Sequence, residues 1–192
     1  MSISTKSLSV VFAAALLGAG AVHAQLVKLM TGPQGGSWYP LGGAIANIAD
    51  KAGVKVQVLP GAGIANVKGV DGSKADMGFG NSISTVDGVA GRAPFDAPAK
   101  NVCNIASLYP QYYQVVANAD AKINSLGDLK GKSLAVQPKG NTAEFISMQS
   151  LEVYGLKYQD MSRVSYVSYT DAVSLMKDNN AQVFTLGTTV PA

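Results

Sequence analysis

Histidine is nearly missing from this 192-residue chain: the only one is His23, close to the N-terminus. Cysteine is as scarce, with Cys103 alone, and arginine occurs only at Arg92 and Arg163. Each shortage excludes some chemistry. A single thiol cannot close an intramolecular disulfide, whatever the redox compartment. Beyond residue 23 no Ser-His-Asp triad, Cys-His pair or histidine-ligated zinc can be built from this chain. Two separated arginines and a net charge of +3 give no clustered basic surface, so no nucleic-acid partner is expected. Charged residues make up only 14% of the chain against 47% hydrophobic, which argues for a folded rather than a disordered polypeptide. The length suits one sizeable core or two small lobes.

What is present begins with a secretory pattern. Lys6 supplies a basic start, residues 8–22 form an apolar run, and Val22-His23-Ala24 offers small residues at the cleavage-recognition positions. Residues 1–24 are therefore expected to be a signal peptide, cleaved before Gln25. Position 25 is not cysteine, so no lipid anchor is expected, and the mature chain should be periplasmic. Cys103 is expected to pack as a small buried hydrophobe in a strand-like stretch over residues 102–108.

Further along, the order of elements repeats. Residues 26–30 alternate as a strand, and a glycine-rich loop over 32–37 leads into a helix with Pro40 in its first turn. Strands at 54–59 and 76–80 flank a short helix at 64–70. The same order returns with strands at 132–137, 164–167 and 182–186 and helices after Asn141 and Thr170. Asn141 is expected to cap the first of these helices, with Glu144 completing a capping box. The pattern predicts an α/β fold: two doubly wound βαβαβ lobes, with the first lobe over 25–107 and the hinge and second lobe over 108–192. In such folds the loops after the strands bind ligands, so two facing loop edges make a cleft.

Candidate motifs for chemistry fail on spacing. Gly127-Asp-Leu-Lys-Gly131-Lys132-Ser133 has three residues between its glycines where a P-loop needs four, and a strand follows rather than a helix. Gly61-Ala-Gly63-Ile-Ala-Asn66 lacks the third glycine of a dinucleotide fingerprint. Gly80-Asn-Ser82-Ile-Ser84 is not a nucleophile elbow. No catalytic role, cofactor or metal is expected.

The opening segment Gly32-Pro-Gln-Gly-Gly-Ser-Trp-Tyr39-Pro-Leu-Gly-Gly43 resembles the first loop and helix of TAXI-type solute-binding proteins of TRAP transporters. Gly63-Ile-Ala-Asn66, Ala75-Asp-Met-Gly-Phe79, Leu108-Tyr-Pro and the 123–132 segment are similar to later parts of that family. The resemblance implies a periplasmic-binding-protein fold of type II. It implies capture of a small organic acid or amino acid, often glutamate-like, and delivery to a sodium-driven TRAP-type permease. Members of that family run on past this chain's last residue, so exposed apolar edges are expected on both sheets. A periplasmic sensing module and a non-functional remnant are the competing readings.

Candidate ligand-binding residues sit where strands end and helices begin. Helix starts at Ser37–Tyr39 and at Lys139–Thr142 favour an anion through their N–H groups and dipole. Tyr39 is expected to donate to the ligand, while Trp38 either walls the cleft or staples its helix. Gly63 lets backbone approach; Asn66 and Asn81 either bind or cap. Lys139 pairs with a ligand carboxylate or stays solvated. Asn141 caps, with Thr142 beside it, and Tyr109 lines the hinge. Thr185, Gly187 and Thr188 end the last strand and are expected to close the site.

Overall fold

A computed structural model describes residues 26–190. The expected signal peptide and its cleavage site lie outside the described residues. The first half runs β1 (Val27–Met30), α1 (Trp38–Lys51), β2 (Val56–Leu59), α2 (Gly63–Asp71), β3 (Met77–Gly78) and α3 (Ser82–Ala90). The second runs β4 (Tyr112–Ala117), β5 (Ser133–Val136), α4 (Thr142–Val153), β6 (Arg163–Tyr166), α5 (Tyr169–Lys177) and β7 (Val183–Thr188).

The doubly wound βαβαβ pattern expected from the sequence is present in both halves. The first sheet has order β2-β1-β3 with both pairings parallel, and the second has order β4-β7-β5-β6. Within the second, β6-β5-β7 repeats the parallel arrangement of the first, and β4 adds an antiparallel edge against β7. Consequently the loops after the parallel strands gather along one edge of each sheet.

Packing differs between the halves. In the second sheet the central strands β5 and β7 are buried on both faces, as parallel strands under helices require. Leu134, Val136 and Val183 pack on one side with Leu151 of α4, and Ala135, Phe184 and Leu186 pack on the other with Tyr169 and Ala172 of α5. In the first half the buried cluster is Ile64, Val67 and Phe95. Ile48, Ile83, Val86 and Val89 stand exposed there.

Some sequence expectations are corrected. Residues 102–108 form no strand, because β3 is only two residues long and gives that segment no ladder to join. Cys103 is accordingly exposed rather than buried. Gly187 and Thr188 belong to β7 itself, which continues while β4 pairs with it through Tyr112. Glu144 makes no capping box: Asn141 caps α4 alone, its Oδ1 accepting the Ala143 N–H at 2.8 Å.

Candidate ligand-binding site

Each helix that follows a strand begins at the carboxyl edge of its sheet, so helix starts from both halves collect around one cavity of about 750 Å³. Ser37 and Trp38 open α1 there, Gly63 opens α2, Asn81 and Ser82 lead into α3, Asn141 and Thr142 into α4, and Tyr169 into α5. An α-helix leaves its first N–H groups without intrahelical acceptors, and its dipole makes that end positive. The cavity is therefore electropositive through backbone rather than through charged side chains.

Two places show how closely the halves approach. The glycine-rich loop lies on α5: a Cβ at Gly35 would stand 2.6 Å from Thr170 Oγ1, and one at Gly36 would stand 2.8 Å from the Tyr169 ring. Gly35 also has φ +81°, so both the space and the backbone require glycine. At the second place a Cβ on Gly63 would stand 2.1 Å from Thr142 Oγ1 and 2.6 Å from Asn81 Oδ1. Next to it, the Ala65 N–H donates to Gly140 O at 3.1 Å, tying the first turn of α2 to the loop before α4.

Thr142 is 4% exposed and its hydroxyl has no hydrogen-bond partner. A buried hydroxyl left unpaired costs about 1–3 kcal/mol. Among the described residues Gln137 Oε1, in the same loop, shares that condition.

The connecting segment also contributes. Tyr109 and Ser37 share a hydroxyl hydrogen bond of 2.9 Å, and the Asn81 amide donates to Gln111 Oε1 at 2.8 Å. Aromatic rings form much of the wall. Trp38 is tilted against Phe79 with 5.7 Å between ring centroids, and Tyr169 donates its hydroxyl to Gly187 O at 2.9 Å. Burial pushes the Tyr169 hydroxyl pKa up, partly offset by that bond. Burial likewise raises Tyr113, whose hydroxyl donates to Ser147 Oγ at 3.0 Å. Both phenols are neutral at ordinary pH.

The structure brings Ser37, Trp38, Gly63, Asn66, Asn81, Tyr109, Asn141, Thr142 and Gly187 to this cavity. Three candidates lie elsewhere. Tyr39 is 40% exposed, because one residue along a helix turns the side chain by about 100° away from Trp38. Lys139 holds its ammonium 5.3 Å above the Tyr166 ring instead of entering the cavity. Thr185 sits three residues before the end of β7, where the pleat aims it at α4, and Ser147 Oγ donates to it at 2.8 Å.

Asn66 needs a different correction. It touches the cavity, yet its amide is consumed by the backbone: Nδ2 donates to Thr31 O at 2.7 Å and to Phe79 O at 2.9 Å, and Oδ1 accepts the Ala62 N–H at 3.0 Å. It holds the site together and has little left for a ligand. Sequence reasoning missed Phe79, Gln111, Tyr113 and Tyr169 as wall residues. Tyr169 carried a usable signal, since it opens a helix directly after a strand.

Residues 29–192 match the model of the NMT1-like family. The chain belongs to the NMT1-like family. Solved structures similar to this family member share its fold at low identity. One is the alkanesulfonate-binding protein SsuA from Xanthomonas axonopodis pv. citri bound to MOPS: 15% identity, TM-score 0.52, 86% of this chain and 55% of that one. Another is an ancestral arginine-binding protein bound to arginine, with 18% identity, TM-score 0.52, 86% of this chain and 71% of that one. A third is the arginine-bound form of truncated ArgBP from T. maritima, with 19% identity, TM-score 0.51, 85% of this chain and 73% of that one. The chain spans about half the length of the sulfonate-binding proteins it matches, 54% and 55%. The likeness places the NMT1-like chain in the periplasmic-binding-protein fold.

Proposed function

We propose that this NMT1-like chain is an extracytoplasmic solute receptor that captures a small organic acid between its two halves and passes it to a membrane transporter. The observation that carries the reading is the buried, unpartnered Thr142 hydroxyl, set at the start of α4 where the starts of α2 and α3 meet it. A carboxylate or related acid group is the partner such a junction lacks. Support also comes from the solute-binding roles named for structures of the same fold, one bound to MOPS and others to arginine. The first-lobe and second-lobe division at residue 107, periplasmic export and a TRAP-type permease as partner belong to the same proposal, the last through the resemblance of the 32–43 segment. In this reading the halves part to admit the acid group, the hydroxyl gains an acceptor, and closure follows as a shift between open and closed populations.

The test is thermal unfolding of the purified chain with a panel of carboxylates, sulfonates and amino acids. A ligand at about 100 times its Kd adds about 2.7 kcal/mol, or roughly 5–11 °C for a chain of this size. Thr142→Val provides the sharper arm. It removes the unpaired hydroxyl at similar volume, so it should raise the unliganded stability by about 1 kcal/mol while weakening the ligand-induced shift. A variant that loses stability yet keeps the full ligand shift would show that the acid group binds elsewhere.

A further inference from the structure

The site as proposed has an unusual charge inventory. Among the described residues that line the cavity there is no lysine or arginine, and Asp76 is the one carboxylate. Asp76 lies at the far end of β3 from the helix starts, five residues before Asn81, up to about 16 Å along extended chain. Its Oδ2 already accepts the Lys28 N–H at 2.8 Å. Two lysines near the cavity walls are held away from it: Lys139 lies 5.3 Å above the Tyr166 ring, and Lys68 lies 5.3 Å above Phe95 while donating to Pro94 O.

Positive potential inside therefore comes from helix starts. Each α-helix N-terminus acts as roughly half an elementary charge, so α2 and α4, facing each other across Gly63 and Thr142, together offset about one negative charge. Away from that junction the walls carry Trp38, Phe79, Tyr113, Tyr169 and aliphatic side chains, beside neutral polar groups such as Thr85, Asn101, Asn104 and Gln111. A second carboxylate there would meet no lysine or arginine, and an ammonium would meet only Asp76, whose Oδ2 already accepts the Lys28 N–H.

We infer that the cavity selects monoanionic acids, with one carboxylate or sulfonate at the α2–α4 junction and an uncharged, largely apolar body along the aromatic wall. It selects against dianions and α-amino acids, which departs from a glutamate-like ligand. The inference rests on the receptor reading above and narrows it.

Titration calorimetry of the chain with pentanoate, pentane-1-sulfonate, glutarate and L-glutamate, matched in carbon number, separates the cases. Pentanoate or the sulfonate should bind at least about 30-fold tighter than glutarate or glutamate, equivalent to about 2 kcal/mol. The two monoanions tell carboxylate from sulfonate recognition. Glutamate or glutarate binding as tightly as the monoanions overturns the inference and leaves the receptor reading standing. If none of the four, and none of the wider panel, binds, both fail. Thr142→Val should weaken the preferred monoanion about tenfold; unchanged affinity would remove the acid group from the α2–α4 junction and overturn the assignment.

Discussion

Replacing Asn66 with leucine tests whether the cavity is framed as described. The side chain is 1% exposed and joins three places: the end of β1 through Thr31 O, the end of β3 through Phe79 O, and the start of α2 through the Ala62 N–H. Backbone has been cleared to let it in, since a Cβ at Gly61 would stand 2.1 Å from Asn66 Oδ1 and one at Gly78 would stand 3.0 Å from Asn66 Cβ. Leucine keeps the branched shape but neither donates nor accepts, so two carbonyls and one N–H lose their buried partner. At about 1–3 kcal/mol for each stranded group, and allowing for relaxation, the loss is about 3–6 kcal/mol. For a chain of this size that lowers the midpoint by roughly 6–24 °C. Circular dichroism melts and urea titrations at neutral pH measure it, and an unchanged urea m-value confirms that stability alone has moved. Asn66→Asp adds a sign. Its carboxylate would face two carbonyl oxygens, so the folded pKa should lie above the ordinary value of about 3.9. The folded state then binds the proton more tightly than the unfolded one. Stability is present below the unfolded value and is lost as pH rises through the folded one. Asn66→Asp should therefore fall short of the parent protein by less at acid than at neutral pH. A drop of under about 2 °C for Asn66→Leu, or a pH trend of opposite sign for Asn66→Asp, would refute the assignment of Asn66 as the tie.

Two further outcomes follow from single contacts. Burial raises the Glu144 pKa, with the Tyr158 hydroxyl and Lys139 partly opposing it. The protein's stability should thus fall as pH rises from the ordinary glutamate range through the folded value, and Glu144→Gln should remove that slope. Melts at acid and neutral pH check this: the variant gains on the parent as pH rises, and an equal difference at both would sink the idea. Gly63→Ala places a methyl 2.1 Å from Thr142 Oγ1 and 2.6 Å from Asn81 Oδ1, where the halves touch. It should keep cooperative unfolding, lose about 1–3 kcal/mol to overpacking, and lose the ligand-induced shift; a shift of undiminished size would mean that closure does not pass through this contact.

Much of the layout was legible because it is local. A strand, a glycine or asparagine loop and a helix of regular apolar spacing recur in each half, and short-range chemistry sets all three. Asn141 was readable as a cap for the same reason. The rest depends on partners distant in sequence. β4 pairs antiparallel with β7 some seventy residues later, through Tyr112 with Thr188 and Ala117 with Val183, which no local pattern announces. The 102–108 stretch has strand composition and lacks a neighbour, so it stays irregular and leaves Cys103 exposed. Side-chain direction and depth were the other losses. Tyr39 sits one residue from Trp38 and turns away, while Thr185 shares its face of β7 with Gly187 but lies two residues further from the strand end, and in each pair only the second reaches the cavity. The encounter of Gly63 with Thr142, on which the site turns, exists only in three dimensions.

The two halves treat their helix starts differently, and the difference bears on how a ligand could be sensed. In the second half Asn141 and Ser168 cap their own helices, accepting from the Ala143 and Asp171 N–H groups. In the first half Ser37 and Asn81 hold the equivalent positions and make no side-chain cap bond. Their side chains instead reach the connecting segment, Ser37 to Tyr109 and Asn81 to Gln111. The chain that joins the halves is therefore fastened to the starts of α1 and α3, which also form the cavity wall. A movement of the second half that carries Tyr109 and Gln111 with it must break or remake both bonds. Each is worth only about 0.5–1.5 kcal/mol net, so a ligand needs little differential affinity to shift the balance. Freed from the connector, both side chains regain the option of capping α1 and α3 or of meeting a ligand. Under the proposed receptor function, occupancy of the cavity and the relative position of the halves would be linked through the same two residues.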